Sequence, residues 1–248
     1  MIKIKTEEEI KIMGQGGRIL AQIMKEVAGK VEPGVTTKYL DKVAENLVFK
    51  FNAQPSFKNY NGFPAALCVS INEELVHCIP SDRELKSGDI VSLDLGILYN
   101  GYHSDMAVTV PVGRVSLEAL RLIKTTKKAL KRGIKKIRPG ITFGDISNTI
   151  QRYVEDQGYS VIRDLCGHGI GRELHEDPEI TNYGKRGTGP ELAEGMVFCL
   201  EPMIAVGGWQ VKKSKDGYGF QMADDSLCAH FEHTIVVTET GSKVLTEL

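Results

Sequence analysis

A seven-residue string occurs twice in this chain, and its spacing constrains the fold more than any other feature. Lys30-Val-Glu-Pro-Gly-Val-Thr36 returns as Lys136-Ile-Arg-Pro-Gly-Ile-Thr142, 106 positions later. A second pair follows in the same order: Leu85-Lys-Ser-Gly-Asp-Ile-Val-Ser-Leu-Asp94 and Leu192-Ala-Glu-Gly-Met-Val-Phe-Cys-Leu-Glu201, 107 apart. Helical periodicity flanks each Pro-Gly copy. Before the first, Thr6 and Glu9 have the spacing of a capping box, and Ile10, Met13, Gly17, Leu20, Met24 and Val27 recur at three- and four-residue steps. Leu120, Ile123, Leu130, Ile134 and Ile137 take the same part in the second half. After each copy a further helix is expected, through Leu40, Val43, Leu47 and Phe51, then through Ile146, Ile150 and Tyr153. Two copies in one order at one spacing imply a duplicated helix-helix-strand unit, not a short-period solenoid. Chance similarity of two turn-plus-strand segments is the alternative. The expected organisation is one domain over residues 1–248, with pseudo-repeats of roughly 1–115 and 116–248.

Composition narrows the partners. The 31 basic residues nearly balance 32 acidic ones, which argues against DNA or an anionic membrane as the main partner. Two stretches, Lys124 to Arg132 and Lys135 to Arg138, are locally basic. They read as a solvated helix face, with a transient ribosome contact as the other reading. Cys68, Cys78, Cys166, Cys199 and Cys228 are scattered without a C-x-x-C pair, so neither a disulfide framework nor a structural zinc site is expected. The stretch from Met1 to Glu9 is charged and lacks the apolar core of a signal peptide. No stretch approaches the length of a membrane span. A cytoplasmic monomer is the expectation.

The carboxylates carry the chemistry. Asp94 ends the apolar run Ile90-Val-Ser-Leu93, where an isolated charge is costly unless it is paired or binds a metal. Asn100-Gly101 then predicts a two-residue hairpin turn. That turn sets Tyr99 against Tyr102, Gly96 against Asp105 and Asp94 against Ala107. Asp94 and Asp105 therefore share one face as diagonal neighbours, roughly 7–8 Å apart at the backbone. Two like charges so close would force one to protonate; a divalent cation resolves the conflict. The second echo puts Glu201 at the place equivalent to Asp94. Glu232 lies in Ala229 to Thr238, which reads as one strand entering the core. Alone it would be a surface residue; beside the other three it joins them. The glycines of Gly167-His-Gly-Ile-Gly-Arg172 allow close backbone approach around His168. The run fits neither a phosphate loop nor a dinucleotide fingerprint, and His168 and His175 do not make a zinc-protease helix.

The ordered set Asp94, Asp105, His168, Glu201 and Glu232 resembles the five metal ligands of the methionine aminopeptidase, or pita-bread, superfamily. The strings Asn72 to His77, Gly88 to Asp94, Gly167 to Arg172 and Phe231 to Thr238 are similar to its type I bacterial members, and the similarity runs from about Glu7 to the end. The helical insertion of type II members and the N-terminal extensions of some eukaryotic relatives have no counterpart. The resemblance implies an α+β fold: a curved, mainly antiparallel sheet from two pseudo-symmetric helix-helix-strand halves, with helices on the outer face. It implies two divalent ions (Co, Mn, Fe or Zn) that activate a bridging water. Asp105 and Glu232 would bridge them, with Asp94 completing one ion and His168 with Glu201 the other. Glu201 would also carry the water's proton to the leaving amine.

The same resemblance assigns His77 to the scissile nitrogen and His175 to the scissile carbonyl. Without the family, each reads as a satisfied structural histidine. Tyr60, Phe63, Cys68 and Tyr218 match the methionine pocket, where rings and a thiol suit a flexible thioether; core packing is the other reading. Phe57, Leu174 and Tyr218 depart from a common bacterial pattern of cysteine, phenylalanine and tryptophan, which bears on pocket shape. His103, His230 and His233 receive no role. The implied activity is a metallo-exopeptidase that removes the N-terminal methionine of nascent proteins when the second residue is small. A proline-specific aminopeptidase of the same fold and a metal-free peptide- or ribosome-binding relative are the rivals.

Overall fold

The repeated strings pair with each other inside each half of the molecule. Gly34 donates to the Leu85 carbonyl at 2.8 Å, and Leu85 returns a bond to Val35 at 2.8 Å. In the second half Gly140 donates to Leu192 at 3.1 Å, and Leu192 to Ile141 at 2.7 Å. Isolated bridges Thr36–Glu84 and Thr142–Glu191 sit beside them. The computed structural model describes residues 2–248; Met1, at the head of the charged N-terminal stretch, lies outside the described residues.

The first half runs α1 (Glu7–Ala28), α2 (Thr37–Lys50), β1 (Leu67–Ile71), β2 (Ile90–Tyr99) and β3 (Tyr102–Pro111). The second runs α3 (Leu117–Lys136), α4 (Phe143–Asp156), β4 (Gly167–Gly169), β5 (Glu176–Ile180), β6 (Val197–Leu200), β7 (Met203–Ala205), β8 (Cys228–His230) and β9 (Glu232–Val237). One curved antiparallel sheet has the order β2-β3-β9-β6-β4-β5, with β1 added on β2. The two halves meet where β3 pairs β9.

Helix α1 starts where its sequence says. Thr6 accepts from the Glu9 N–H, and Glu9 accepts from the Thr6 N–H, a complete capping box. Of the expected α1 face Met13, Gly17, Leu20, Met24 and Val27 are buried and Ile10 is half-buried, and at Gly17 an added Cβ would lie 2.3 Å from the Leu245 carbonyl oxygen. Only glycine allows that approach. Leu20, Leu40 and Val48 pack on Val69, Leu93, Leu95 and Met106, while Leu122, Ile146 and Ile150 pack on Phe198, Leu200 and Ile235. Each such side chain contributes about 1.5–3 kcal/mol when fully buried. Helices thus cover one face of the sheet, and the alternate residues Asp94 and Asp105 point to the other.

The structure differs from the sequence expectation at α3 and in the last long strand. In α3 the buried stripe is Ala119, Leu122, Thr126, Ala129, Leu130 and Gly133, whereas Leu120 is 45% exposed and Ile123 and Ile134 are half-buried. Small residues decide this face: a Cβ on Gly133 would meet Leu200 at 2.8 Å and Ile150 at 2.9 Å. The strand expected over Ala229 to Thr238 is broken at Phe231, because β8 pairs β7 in a separate three-stranded sheet. Opposite the break, Pro202 interrupts β6 and β7 since it has no N–H to donate.

Candidate metal centre

The hairpin has the register read from its turn: Tyr99 faces Tyr102, Gly96 faces Asp105 and Asp94 faces Ala107. On the far side of Ala107 stands Glu232 of β9. Asp105 is fixed by Thr234, whose hydroxyl accepts from the Asp105 N–H at 2.9 Å and donates to the Asp105 carbonyl at 2.8 Å. Glu201 follows β6 at the Pro202 corner. His168 comes from the middle of β4, its Nε2 3.7 Å from Glu201 Oε1. Gly167 makes that placement feasible, since a Cβ there would sit 2.4 Å from the Cys199 carbonyl oxygen.

All four carboxylates are buried, Glu232 to 2% exposure. Asp94 Oδ1, Asp105 Oδ1 and Glu232 Oε1 have no hydrogen-bond partner, a costly state for buried charge. Donor atoms of Asp94, Asp105 and Glu232 lie within 4.8 Å of one another, as do those of Glu201, His230 and Glu232, and of His168, Cys199 and Glu232. Burial, then mutual repulsion, raises the pKa of Asp94, Glu201 and Glu232 well above the ordinary range, and burial raises Asp105. Burial lowers His168 and His230 to about 3, so both imidazoles are neutral. The His168 Nδ1–H donates to the Gly169 carbonyl at 2.9 Å, leaving the Nε2 lone pair free. An oxygen-rich set with a neutral imidazole, and oxygens left without partners, fits divalent transition ions.

The carboxylates open into a cleft of about 860 Å³ that contains every other candidate residue. His77 lies just past the short strand Glu74–Val76 with φ 58°, a left-handed backbone uncommon for a side-chain-bearing residue. Desolvation by the surrounding cleft, then the His175 ring, lowers its pKa to about 4, although the residue as a whole is exposed. The His175 ring packs 4.3 Å from that of His168, and its Nδ1 lies 2.9 Å from the Tyr60 hydroxyl. Phe63 and Tyr218 meet edge to face at 5.8 Å, and the Tyr218 hydroxyl donates to the Gly62 carbonyl at 2.9 Å. Cys68 is the direct cross-strand partner of Asp94, joining this aromatic slot to the carboxylates. Phe57 and Leu174 line the same cleft.

Two residues near the cluster were missed in the sequence. His230 and Cys199 each stand two positions before a carboxylate, Glu232 and Glu201. The two-residue period of a strand pointed to both.

The profile of metallopeptidase family M24 matches residues 11–239. Methionine aminopeptidase 1 of Bacillus subtilis (strain 168) is 47% identical over 248 residues, covering 100% of both chains. A methionine aminopeptidase of Clostridium acetobutylicum is 48% identical over 247 residues, with 99% of each chain covered. The crystal structure of a methionine aminopeptidase from Thermotoga maritima superposes with a TM-score of 0.99 at 45% identity, covering 100% of both chains. A prolidase from Pyrococcus furiosus shares the pita-bread fold more distantly, with a TM-score of 0.79 at 27% identity over 99% of this chain and 65% of its own. With kinship over its full length and this clustered set of acids, the chain belongs to metallopeptidase family M24, and within it to the methionine aminopeptidases.

Proposed function

We propose that the chain is a type I enzyme that removes the N-terminal methionine from nascent proteins, preferring a small second residue, with two divalent ions at its centre. Family membership implies divalent metal. Asp94, Asp105, His168, Glu201 and Glu232 are the ligands in this reading, supported by their convergence and by the three oxygens without partners. Co, Mn, Fe and Zn all suit such donors. When bound, the ions supply Lewis acidity and lower the pKa of water.

The protein's own groups do the rest. Glu201, its pKa raised by burial, takes the proton of the attacking water and returns it to the leaving amine. His175 is neutral at pH 7, lowered by burial. In this reading the Tyr60 hydroxyl, 2.9 Å from Nδ1, favours the tautomer whose Nε2–H donates to the scissile carbonyl. Neutral His77 contacts the scissile nitrogen. Tyr60, Phe63, Cys68 and Tyr218 hold the methionine side chain, whose thioether packs well against rings and a thiol. In this reading the enzyme works as a cytoplasmic monomer, and the exposed cations of α3, such as Lys124, Lys127 and Lys131, give it a transient ribosome contact. Among the described residues no helix is long and apolar enough to cross a membrane.

Convergence of five dispersed side chains beside an aromatic slot carries the reading. Its test is hydrolysis of Met-Ala-Ser against Xaa-Pro peptides, after chelation and then with each metal restored. Metal-dependent cleavage of Met-Ala-Ser is expected; cleavage of Xaa-Pro alone would overturn the assignment. His168→Ala should abolish turnover while leaving the fold intact.

A further inference from the structure

We propose that His230 is a positioning residue for Glu201: its Nε2–H donates to Glu201 Oε2 and keeps Oε1 turned toward His168. The inference rests on the metal reading above and adds to it a side chain outside the five ligands.

His230 ends β8 and is 1% exposed. It pairs with Met203, two residues past Glu201, so its ring stands at the Pro202 corner. Nε2 lies 3.4 Å from Glu201 Oε2 and 4.0 Å from Glu232 Oε2. Neither ring nitrogen has a hydrogen-bond partner among the described residues.

A neutral imidazole carries one N–H, and the surroundings choose which nitrogen holds it. On Nδ1 the proton would have no acceptor, and the Nε2 lone pair would face two carboxylates. On Nε2 it faces carboxylate oxygen and leaves only a lone pair unpartnered, the milder of the two deficits. The 3.4 Å separation is at the long end of the range, and a small rotation of Glu201 closes it.

His168 shows the opposite arrangement. Its Nδ1–H is anchored on the Gly169 carbonyl, which frees Nε2 as a ligand, the usual state of a metal-bound histidine. His230 has no such anchor. Direct ligation by His230, which its grouping with Glu201 and Glu232 would otherwise suit, leaves a buried Nδ1–H with nothing to bond. Glu201 is thus held between two imidazoles in opposite tautomers, one facing each carboxylate oxygen.

The tautomer is read directly by long-range ¹H–¹⁵N NMR on zinc-loaded protein carrying ¹⁵N-histidine. His230 should show a protonated Nε2 and a bare Nδ1, and His168 the reverse. An Nδ1–H tautomer for His230, or an Nε2 signal shifted by zinc, overturns the proposal and makes the ring a ligand. Calorimetric titration of chelated protein with Mn²⁺ gives the energetic readout. His230→Leu should bind about 10–100-fold more weakly, while His230→Gln, which keeps an N–H donor, should stay within about threefold of wild type. Leucine binding as tightly as wild type, or glutamine losing as much as leucine, overturns the proposal. The tautomer needs no variant, so it decides the matter even if His230→Leu misfolds. Wild-type protein that takes up no metal would sink the metal reading and this inference together; normal uptake with unchanged His230→Leu affinity sinks only this one.

Discussion

Asp94 and Glu232 both stand opposite Ala107, one on each side, so three neighbouring strands present carboxylate, methyl and carboxylate in a row. The outer two backbones are two strand spacings apart, roughly 9–10 Å. Both acids can lean inward only because the residue between them is small. Ala107→Val should therefore splay them, costing about 1–3 kcal/mol of stability by overpacking and lowering kcat by about tenfold or more. Steady-state kinetics on Met-Ala-Ser with a thermal melt checks this. Unchanged kcat would show that the spacing of this row does not limit the reaction.

Metal removal should make stability depend on pH. Asp94, Asp105, Glu201 and Glu232 have folded pKa values raised by burial. Such groups stabilise the fold below their unfolded pKa and lose that contribution as pH rises through the folded value. His168 and His230, lowered by burial from 6.5 to about 3, act oppositely, and their effect levels off above about 6.5. Chelated protein should thus lose Tm as pH rises from about 6.5, where the histidine effect has levelled off, through the Asp105 value of about 7, and added Mn²⁺ should raise Tm more at pH 8 than at pH 6. Asp105→Asn should raise the Tm of chelated protein at pH 8 while abolishing turnover. A chelated wild type with a flat Tm over this range would contradict the burial argument.

The hairpin and the carboxylate face were legible because Asn100-Gly101 permits few turn geometries and a strand alternates with period two. The two halves were legible because the repeated strings bond to each other locally. What escaped depended on contacts distant in sequence. The buried α3 face includes Ala119, Ala129 and Gly133, and the smallness of Gly133 matters only against Leu200 and Ile150. The break at Phe231 reflects Pro202 on a neighbouring segment, as the Phe231 N–H turns to the Pro202 carbonyl at 3.4 Å. His230 gains a role only through Glu201, a residue distant in sequence that its ring meets across the Pro202 corner at 3.4 Å.

The aromatic slot gives a prediction separate from the metals. Tyr218 packs on Phe63 and caps the Gly62 carbonyl, and its ring lines the cleft beside Cys68. Tyr218→Ala removes apolar contact available to a bound methionine side chain, together with that hydrogen bond. KM for Met-Ala-Ser should rise about 5- to 30-fold, the equivalent of about 1–2 kcal/mol, with a smaller change in kcat. Phenylalanine at this position keeps the ring and should recover most of the loss. An unchanged KM for the alanine variant would remove Tyr218 from the slot.

Glu9 joins the start of α1 to the sheet beside the site. One carboxylate oxygen accepts from the Tyr102 hydroxyl at 2.6 Å and faces Arg172 at 3.4 Å; the other accepts the Thr6 N–H at 2.9 Å. The Tyr102 bond first, then the Thr6 bond, holds the carboxyl below its ordinary value of 4.5. A folded pKa below the unfolded one adds stability that is present above pH 4.5 and is lost as pH falls through the folded value. The side chain is 24% exposed, so screening keeps the effect near that of an ordinary cap, about 1 kcal/mol. Glu9→Gln should therefore melt lower than wild type at pH 7, and the two curves should converge as pH falls toward about 3. A gap that stays constant from pH 7 to pH 3 would mean that Glu9 acts through shape and not through its charge.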